Sequence, residues 1–342
     1  MTAPEAARSL AALANRLRKN EARLRSWRSR EGVTCYRVYD RDIPELPLQI
    51  DVFEGTTPEG EPLRAASLVA FAPRHGGGAA YDDVVTAAVA VVAGALSIHQ
   101  AHVFPQLRER ERGGEVEGED AAASVLSLIV REGPARLLVK LGARRDPGLF
   151  LDHRTTRRLV AQESQGLSLL NLFAYTGSFS VQAALAGASS TTSVDLSLQT
   201  TRWAEENLAL NRIDARGVGP AGPAHRVLRA DALAFLQEET EAAYDVVVVD
   251  PPSFSRSRRA QQDFDVARDH LWLIGAALRV CRPAGVVWFS SNLRGFRLGD
   301  LAGLGQDVVV DDVTARTCPP DFQRSPHCAF RISRSIKSAT RG

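Results

Sequence analysis

Hydrophobic spacing along the N-terminal half predicts a long helix followed by a small mixed domain. Apolar side chains recur at helical intervals over residues 5–30 and share one face: Leu10, Leu13, Leu17, Leu24 and Trp27. The pattern then becomes extended over residues 34–53. Loops rich in glycine and proline surround an apolar helix at 82–98, and two short strands are predicted at 124–131 and 136–141. We therefore expect a helical arm in front of a small α+β domain.

In the C-terminal half, short apolar segments alternate with segments of helical spacing. The predicted strands are residues 168–174, 190–194, 224–229, 244–249 and 286–290. This alternation favours a parallel sheet with helices on both faces. A continuous valine run such as 246–249 is typical of a strand that is buried on both sides. The predicted fold class is therefore α/β, with a Rossmann-like, doubly wound and mostly parallel sheet after the helical arm and the small α+β domain.

Length and composition fit a soluble protein with two domains and an arm. The 342 residues allow two domains of roughly 100–200 residues each. We predict an arm over 1–32, an α+β domain over 33–146 and the Rossmann-like domain over 147–342. The longest apolar run, 84–98, is shorter than the roughly 18–20 residues of a membrane span. Without an N-terminal signal peptide, we expect a cytoplasmic protein with no membrane partner.

The four cysteines do not suggest a metal site. None forms a CxxC pair or a zinc-type spacing with histidine: Cys35, Cys281, Cys318 and Cys328. Reduced thiols in a cytoplasm are the expectation for a chain of this length. We predict no metal.

Positive charge is unevenly distributed, although the formal net charge is only +2. Basic side chains dominate residues 15–30, and a second basic cluster is Arg256, Arg258 and Arg259. Such clusters can attract phosphate groups. A solvated helix face accounts for the same charges equally well.

The candidate chemistry follows the predicted strands, where ligands bind in open α/β sheets. Successive strands lead to Gly177, Asp195, Asp231 and Asp250. Glycine lets the backbone approach a ligand closely. The acid after the second strand can accept hydrogen bonds from ribose hydroxyls, and the next can accept from an adenine amino group. A single one of these acids is more simply explained as a helix cap, but the four positions together favour an adenosyl site.

The turn at Gly177 carries one glycine, in the segment NLFAYTG that starts at Asn171. A nicotinamide-dependent dehydrogenase would ordinarily show G-x-G-x-x-G around its pyrophosphate. S-adenosylmethionine (SAM) has no pyrophosphate, so the pattern favours SAM as the cofactor.

The sharpest motif is Asp250-Pro251-Pro252-Ser253-Phe254, directly after a predicted strand. Two prolines make the turn rigid and remove hydrogen-bond donors. Such a turn can offer carbonyl oxygens and an aromatic face to a planar base. A proline-rich loop with a buried phenylalanine is the simpler explanation outside this context.

These segments resemble class I SAM-dependent methyltransferases of 23S rRNA, the large Rlm group. The resemblance is greatest to the guanine-N7 methyltransferase that often forms the C-terminal half of a bifunctional enzyme. It is carried by FLDHR (150–154), NLFAYTGS (171–178), SVDLS (193–197), WAEEN (203–207), DPPSF (250–254), FDVARDH (264–270) and RGFR (294–297). Two N-terminal segments add to it, NRLRKN (15–20) and CYRVYD (35–40), so it covers most of the chain and is weakest over 55–125.

The resemblance implies SAM as cofactor and 23S rRNA, or a large-subunit assembly intermediate, as partner. The implied cofactor-binding residues are Phe150, Arg154, Asn171, Phe173, Thr176, Gly177, Ser178, Asp195, Leu196, Ser197, Asn207, Asp231, Ala232 and Asp250. The implied catalytic residues, near the sulfonium and the target base, are Asp250, Pro251, Pro252 and Phe254. The candidate RNA-binding residues are Arg16, Arg18, Lys19, Arg23, Arg256, Arg258, Arg294 and Arg297, and the small α+β domain is expected to bind RNA as well.

The residues after the fifth strand bear on which atom is methylated. Methylation of cytosine C5 needs a cysteine nucleophile, which relatives of that type carry in this loop, but Ser290-Ser291-Asn292 has none. Guanine N7 has an in-plane lone pair and needs no base, so orientation supplies most of the rate. Because N7 lies in the deep groove of A-form RNA, the base must come from a loop or be flipped out. Phe254 or Phe296 is a candidate to stack on it, although ordinary packing explains Phe296 equally well.

Other functions stay open at this point. Methylation of an exocyclic amine is compatible with the same residues. A non-catalytic RNA-binding or assembly factor that kept the fold is a second hypothesis. A small-molecule methyltransferase is a third hypothesis, but it would not explain the arginine-rich helix. The sequence does not determine the oligomeric state, or whether another protein replaces the fused half that relatives carry.

Overall fold

The computed structural model describes residues 3–71, 79–108, 125–142, 146–215, 224–255 and 263–335. The chain divides into two compact units. The first is Met1–Leu151 with Pro320–Gln323, and the second is Asp152–Pro319 with Arg324–Gly342. The predicted helix over 5–30 lies inside the first unit. The exact domain boundaries at 32 and 146 stay a prediction.

The first unit is an α+β structure built on one six-stranded sheet. Its elements are α1 Ala3–Glu31, β1 Cys35–Asp40, β2 Leu48–Thr56, β3 Pro62–Phe71, α2 Ala79–Leu96, β4 Val103–Arg108, β5 Leu126–Glu132 and β6 Ala135–Leu141. The strand order is β4-β3-β2-β5-β6, and β1 pairs with β2 off this path. The β3–β4 pair is parallel and the other pairs are antiparallel.

Helix α1 forms because its apolar side chains repeat every three or four residues, and that stripe is buried. Leu13 and Leu17 are fully buried, and Leu24 nearly so, in one core with α2 and the sheet. Gly32 follows with φ +62°, a conformation that glycine adopts without strain and that ends the helix.

Two strands of this unit lie where loops or no element were predicted. In β3 the segment 65–70 is buried without interruption, so it lacks the alternation that marks a half-exposed strand. Strand β4 is short and contains Pro105. It forms because it pairs in parallel with the edge of β3. Such pairing is a tertiary effect that local pattern does not reveal. The segment 109–120, which is rich in glycine and glutamate, lies outside the described residues.

The second unit is the predicted doubly wound sheet, with seven strands. Its elements are α3 Arg154–Glu163, β7 Ser168–Leu172, α4 Ser178–Leu185, β8 Ser190–Asp195, α5 Leu198–Leu210, β9 His225–Arg229, α6 Ala232–Glu238, β10 Tyr244–Val249, β11 Phe254–Ser255, β12 Phe264–Asp265, α7 Val266–Val280, β13 Cys281–Ser291, β14 Val308–Asp312, α8 Thr314–Thr317 and β15 Cys328–Arg334. The strand order is β14-β15-β13-β10-β7-β8-β9. Strand β15 runs antiparallel to both of its neighbours, and the central pairs are parallel. The fold class predicted from the sequence is confirmed.

The five strands predicted for this unit are present, but β14 and β15 were not predicted. Strand β14 is an edge strand with Val309 half exposed, so it lacks a clear apolar pattern. Strand β15 follows irregular turns between Thr317 and Cys328, which give no signal that a strand begins. Among the described residues, none of the helices has the length and apolarity required to cross a bilayer.

Candidate active site

Three strands of the second unit end level with one another, which brings the predicted acids to one edge of the sheet. Leu172, the last residue of β7, pairs with Val249 of β10 on one side and with Val194 of β8 on the other. Asp250 directly follows Val249, and Asp195 is the last residue of β8. The carboxyl ends of adjacent parallel strands form the ligand-binding edge of such sheets. The predicted convergence of strand ends is therefore present in the backbone.

The turn after β7 is held in a conformation that few residues adopt. Phe173 and Tyr175 have φ values of +54° and +50°, and Gly177 has φ +73°. Non-glycine residues with positive φ carry strain that the surroundings must impose, and such strain is common at ligand sites. At Gly177 a Cβ atom would also lie 2.9 Å from the Ala204 Cβ atom on α5. Both the backbone and the close helix therefore require glycine there.

Two buried amides hold this turn from behind. The Asn207 side chain donates to the Thr176 carbonyl at 2.8 Å, and both residues are 1% exposed. Asn171 donates from its side chain to the Ser180 hydroxyl at 3.1 Å and is equally buried. The structure thus gives these predicted residues a positioning role, and their direct contact with a cofactor stays a prediction.

Asp195 is the most heavily bonded of the acids. Its Oδ2 atom accepts from the Tyr175 backbone N–H at 2.8 Å. Its Oδ1 atom accepts from the Ser197 N–H at 3.0 Å and from the Thr200 hydroxyl at 2.7 Å. A carboxylate offers about four acceptor directions. The carboxylate plane is therefore fixed, and acceptor capacity for about one further donor remains.

Asp231 caps helix α6. Its Oδ1 atom accepts from the Leu233 N–H at 2.8 Å, and Ala232 behind it is buried. Oδ2 accepts no hydrogen bond from the part of the chain that the structure describes. The helix-cap explanation is correct for one oxygen, and the other can still accept from an amino group.

Asp250 is held between a hydroxyl and an imidazole. The Ser290 hydroxyl of β13 donates to Oδ1 at 2.6 Å, and His153 Nε2 lies 3.6 Å from Oδ2. Pro251 is buried and Pro252 is exposed. The rigid turn thus leaves the sheet with one oxygen of Asp250 anchored.

The aromatic residues of the acceptor side differ in exposure. Phe254 is 39% exposed on the short β11–β12 pair. Phe296 packs against Phe289 and the edge of His270, with ring centroids 5.7 and 5.0 Å away. These contacts are those of ordinary packing, and base stacking by Phe296 or Phe254 stays a prediction.

The other predicted residues take several positions. Arg154 is buried at the start of α3, Ser178 begins α4, and Leu196 accepts through its carbonyl from Arg229 at 3.3 Å. Phe150 belongs to the first unit and is 39% exposed. Their cofactor contacts stay predictions.

The candidate RNA-binding residues are exposed where the structure describes them. Arg294 and Arg297 lie in the loop after β13, and the others lie on α1: Arg16, Arg18, Lys19 and Arg23. Arg256, Arg258 and Arg259 lie outside the described residues.

Sequence reasoning missed a buried cluster beside Asp250, formed by Asp152, His153 and His327. His327 Nδ1 lies 2.8 Å from Asp152 Oδ2, and the two imidazole rings stack with centroids 3.9 Å apart. Burial lowers the pKa of His153 below its usual value. His153 lies inside the FLDHR motif, but His327 is 174 positions away, and nothing in the sequence connects them.

Comparison with known proteins identifies the family and similar folds. A protein-family model described as S-adenosylmethionine-dependent methyltransferase matches residues 87–285, more than half of the chain. Among solved structures, SMU.776, which is named as a methyltransferase and was crystallised with SAH, superposes with a TM-score of 0.71 at 20% identity. That match covers 94% of this chain and 81% of the other.

Two further structures share the fold. A SAM-dependent methyltransferase from Streptococcus mutans has a TM-score of 0.69 at 19% identity, covering 94% of this chain and 81% of its own. A SAM-dependent methyltransferase from Agrobacterium tumefaciens has a TM-score of 0.52 at 18% identity, covering 83% and 90%. At these identities the likeness concerns the fold.

Proposed function

The chain belongs to the S-adenosylmethionine-dependent methyltransferase family, and on that premise we propose that it methylates guanine N7 in 23S rRNA. SAM is its cofactor, and the reaction is methyl transfer to an acceptor. The acceptor base and atom are the proposal. The observation that carries it is the Asp250 turn, which has a carboxylate and an exposed aromatic ring but no reactive thiol beside it.

The strand-end residues suit the cofactor. Asp195, with its carboxylate plane fixed, would accept from a ribose hydroxyl, and the open oxygen of Asp231 would accept from the adenine amino group. The strained turn at 173–177 would face the methionine part. The bound cofactor supplies an electrophilic methyl group on a sulfonium sulfur. The chain's own residues then have to bring the acceptor atom into line with that methyl group.

The thiol chemistry argues against cytosine C5. The loop after the fifth predicted strand contains no cysteine of its own. Cys328 of β15 nevertheless lies beside it, because it pairs with Ser291 at the end of β13. Its Sγ atom donates to the Ser291 carbonyl at 3.4 Å, and burial raises the pKa of the thiol to about 11. A thiol that stays protonated at neutral pH is a poor nucleophile.

Guanine N7 fits the groups that remain. Attack by its lone pair releases no proton, so no general base is needed. The methylated ring becomes cationic, and a carboxylate beside it would stabilise the charge as it develops. Asp250, with Oδ1 anchored by Ser290, would fill this role, and Phe254 would stack on the ring.

The exposed face of α1 favours a polyanionic acceptor. Its one central acid, Glu21, turns inward to Tyr36, Arg28 and Arg64 at distances of 2.7–2.9 Å. Arg18, Lys19 and Arg25 are exposed and form no ion pair within the described residues. Cations without carboxylate partners are available to phosphate groups.

Transfer of label tests the proposal. Purified protein would be incubated with methyl-labelled SAM and 23S rRNA that lacks its native methylations, and the RNA would then be cleaved chemically at 7-methylguanosine. We expect label in the RNA and strand scission at one guanine, and less label with Asp195→Ala at a low SAM concentration. Label without scission would reject N7, and a folded, SAM-binding protein that leaves the RNA unlabelled would reject RNA as the acceptor.

A further inference from the structure

The buried cluster next to Asp250 suggests a residue that acts on the reaction through that carboxylate. His153 and His327 are 4% and 3% exposed, and the groups facing His153 are Asp152, Asp250, His327 and Arg157. Buried titratable groups near a site often serve the reaction. The cluster could hold a metal ion or share a proton, and its geometry distinguishes the two.

The stacked rings fit a metal ion poorly. An imidazole directs its lone pair within the ring plane, so a bound ion lies in that plane. The planes of His153 and His327 are 13° from parallel, and their centroids are 3.9 Å apart. An ion in the plane of one ring would therefore lie well out of the plane of the other. The contact of His327 Nδ1 with Asp152 Oδ2 at 2.8 Å is instead that of a hydrogen bond.

The surroundings of His153 select one of its two neutral tautomers. Nε2 lies 3.6 Å from Asp250 Oδ2 and 4.0 Å from Asp152 Oδ2. Nδ1 is buried and accepts or donates no hydrogen bond within the described residues. A proton on Nδ1 would be a buried donor without an acceptor, and the Nε2 lone pair would face two carboxylates. A proton on Nε2 avoids both costs.

Burial favours the neutral form of this imidazole. It lowers the pKa of His153, against the opposite effect of Asp250 and Asp152, while His327 and Arg157 lower it further. His153 then presents a single N–H to the carboxylates. The distance of 3.6 Å is an electrostatic contact, and contacts of this kind commonly tighten when substrates bind.

We propose that His153 is the positioning residue for Asp250: its Nε2–H, fixed by stacking on the His327 ring that Asp152 anchors, directs Oδ2 while Ser290 holds Oδ1. The carboxylate then has the Ser290 hydroxyl bonded to Oδ1 and an imidazole N–H directed at Oδ2, which together define its plane. This inference rests on the proposed role of Asp250 beside the acceptor base. Its consequence is that the rate depends on a donor at the position of His153 Nε2, with no need for an imidazole.

Glutamine and leucine at position 153 test whether the rate requires a hydrogen-bond donor or an imidazole ring. The glutamine amide can place a donor near the Nε2 position, and leucine cannot. We expect His153→Leu to lower kcat about 10- to 100-fold, as for a misdirected catalytic group, with the SAM dissociation constant nearly unchanged. His153→Gln should recover most of that loss. His225→Leu is the matched control, because His225 of β9 bonds the Thr191 hydroxyl of β8 at 3.1 Å and contacts no carboxylate among the described residues.

A spectroscopic measurement makes the test independent of activity. Nitrogen-15 spectra of the imidazoles report which nitrogen carries the proton, and His153→Gln assigns the signal among seven histidines. We expect a neutral Nε2–H form at pH 7 that shifts in Asp250→Asn. An Nδ1–H form, an unshifted signal, equal kcat in His153→Leu and wild type, or a glutamine variant as slow as the leucine variant would overturn the proposal. Stoichiometric zinc in the purified protein that is lost in His327→Phe would overturn it as well.

These results are distinguishable from failure of the proposed function. If the wild-type protein leaves 23S rRNA unmethylated, the acceptor is wrong, and the nitrogen-15 spectra still decide on His153. If the RNA is methylated and leucine at 153 has no effect, only the positioning role is wrong.

Discussion

The two units arrange their charged side chains in opposite ways. In the first unit, Glu21 turns inward to cations and the tyrosine hydroxyl, and the cations left over on α1 face solvent. In the second unit, Asp195, Asp231 and Asp250 end up at the edge of the sheet with acceptor oxygens partly available. One surface is therefore suited to phosphate and the other to the hydroxyl and amino groups of an adenosyl ligand. We therefore expect that substitutions can weaken RNA binding without changing SAM affinity, and the reverse.

The largest effect is expected from removing the Asp195 carboxylate. Hydrogen bonds to a charged group contribute about 1.5–3 kcal/mol, so Asp195→Ala should weaken SAM binding about 10- to 100-fold. Calorimetric titration with SAM measures this. Asp311→Asn is the matched control, because Asp311 lies half exposed on the edge strand β14 and pairs with Arg316 of α8. Unchanged affinity in Asp195→Ala would mean that the cofactor binds elsewhere.

The next effect concerns the backbone of the turn after β7, which we propose faces the same ligand. Gly177→Ala adds a Cβ atom at φ +73° and 2.9 Å from the Ala204 Cβ atom, which should cost about 1–3 kcal/mol of unfolding free energy. Urea denaturation gives the value. Adding Ala204→Gly should return only the part due to the collision, because the left-handed backbone strain remains. If the single variant is as stable as the wild type, the turn is less constrained than its geometry implies.

A smaller and separable effect is expected on the basic helix. Changing Arg18, Lys19 and Arg25 together to glutamine should weaken RNA binding and reduce the slope of log K against log salt by about 0.7–0.9 per lost phosphate contact. SAM affinity should not change. Arg28→Gln is the contrasting variant, because Arg28 pairs with Glu21 and Glu54 at 2.8 and 2.6 Å. This substitution should lower the stability of the protein and leave the salt dependence of RNA binding unchanged. An unaltered salt slope in the triple variant would show that the exposed face is only solvated.

The smallest effect is expected at Cys328. Its pKa is raised from 9.0 to about 11 by burial, so the folded protein favours the protonated thiol. The resulting stabilisation is present below pH 9 and is lost as the pH rises through 11. Cys328→Ser should therefore leave kcat nearly unchanged at pH 7.5, and thiol labelling of the native protein should be slow. Loss of methyl transfer in this variant would restore covalent catalysis as a mechanism.

The sequence predicts the parts of this comparison that depend on local pattern. The stripe of Leu13, Leu17 and Leu24 specifies α1, and apolar runs followed by Asp195 and Asp250 specify strands with acids at their ends. Periodicity and strand termination are both readable along the chain. The predictions that depended on them therefore agree with the structure at the level of fold.

Features that depend on distant pairing could not be predicted in this way. Strand β4 exists because β3 offers an edge, and β15 exists because β13 does. His153 and His327 stack only after the sheet has closed. The motif does not reveal that the Asn171 side chain donates to the Ser180 hydroxyl, and its contact with a cofactor stays a prediction. A motif identifies which residues lie near a site, and packing decides which of them face the ligand.

Nucleoside mass spectrometry of 23S rRNA shows which atom this protein methylates in the cell. RNA from cells that lack this protein would be digested and compared with RNA from the same cells after the gene is restored, with the Asp195→Ala variant in parallel. Guanine-N7 methylation by this protein predicts that one 7-methylguanosine is missing from the deficient cells and returns only with the wild-type protein. Full 7-methylguanosine in the deficient cells, with 5-methylcytidine or N2-methylguanosine missing in its place, would contradict it.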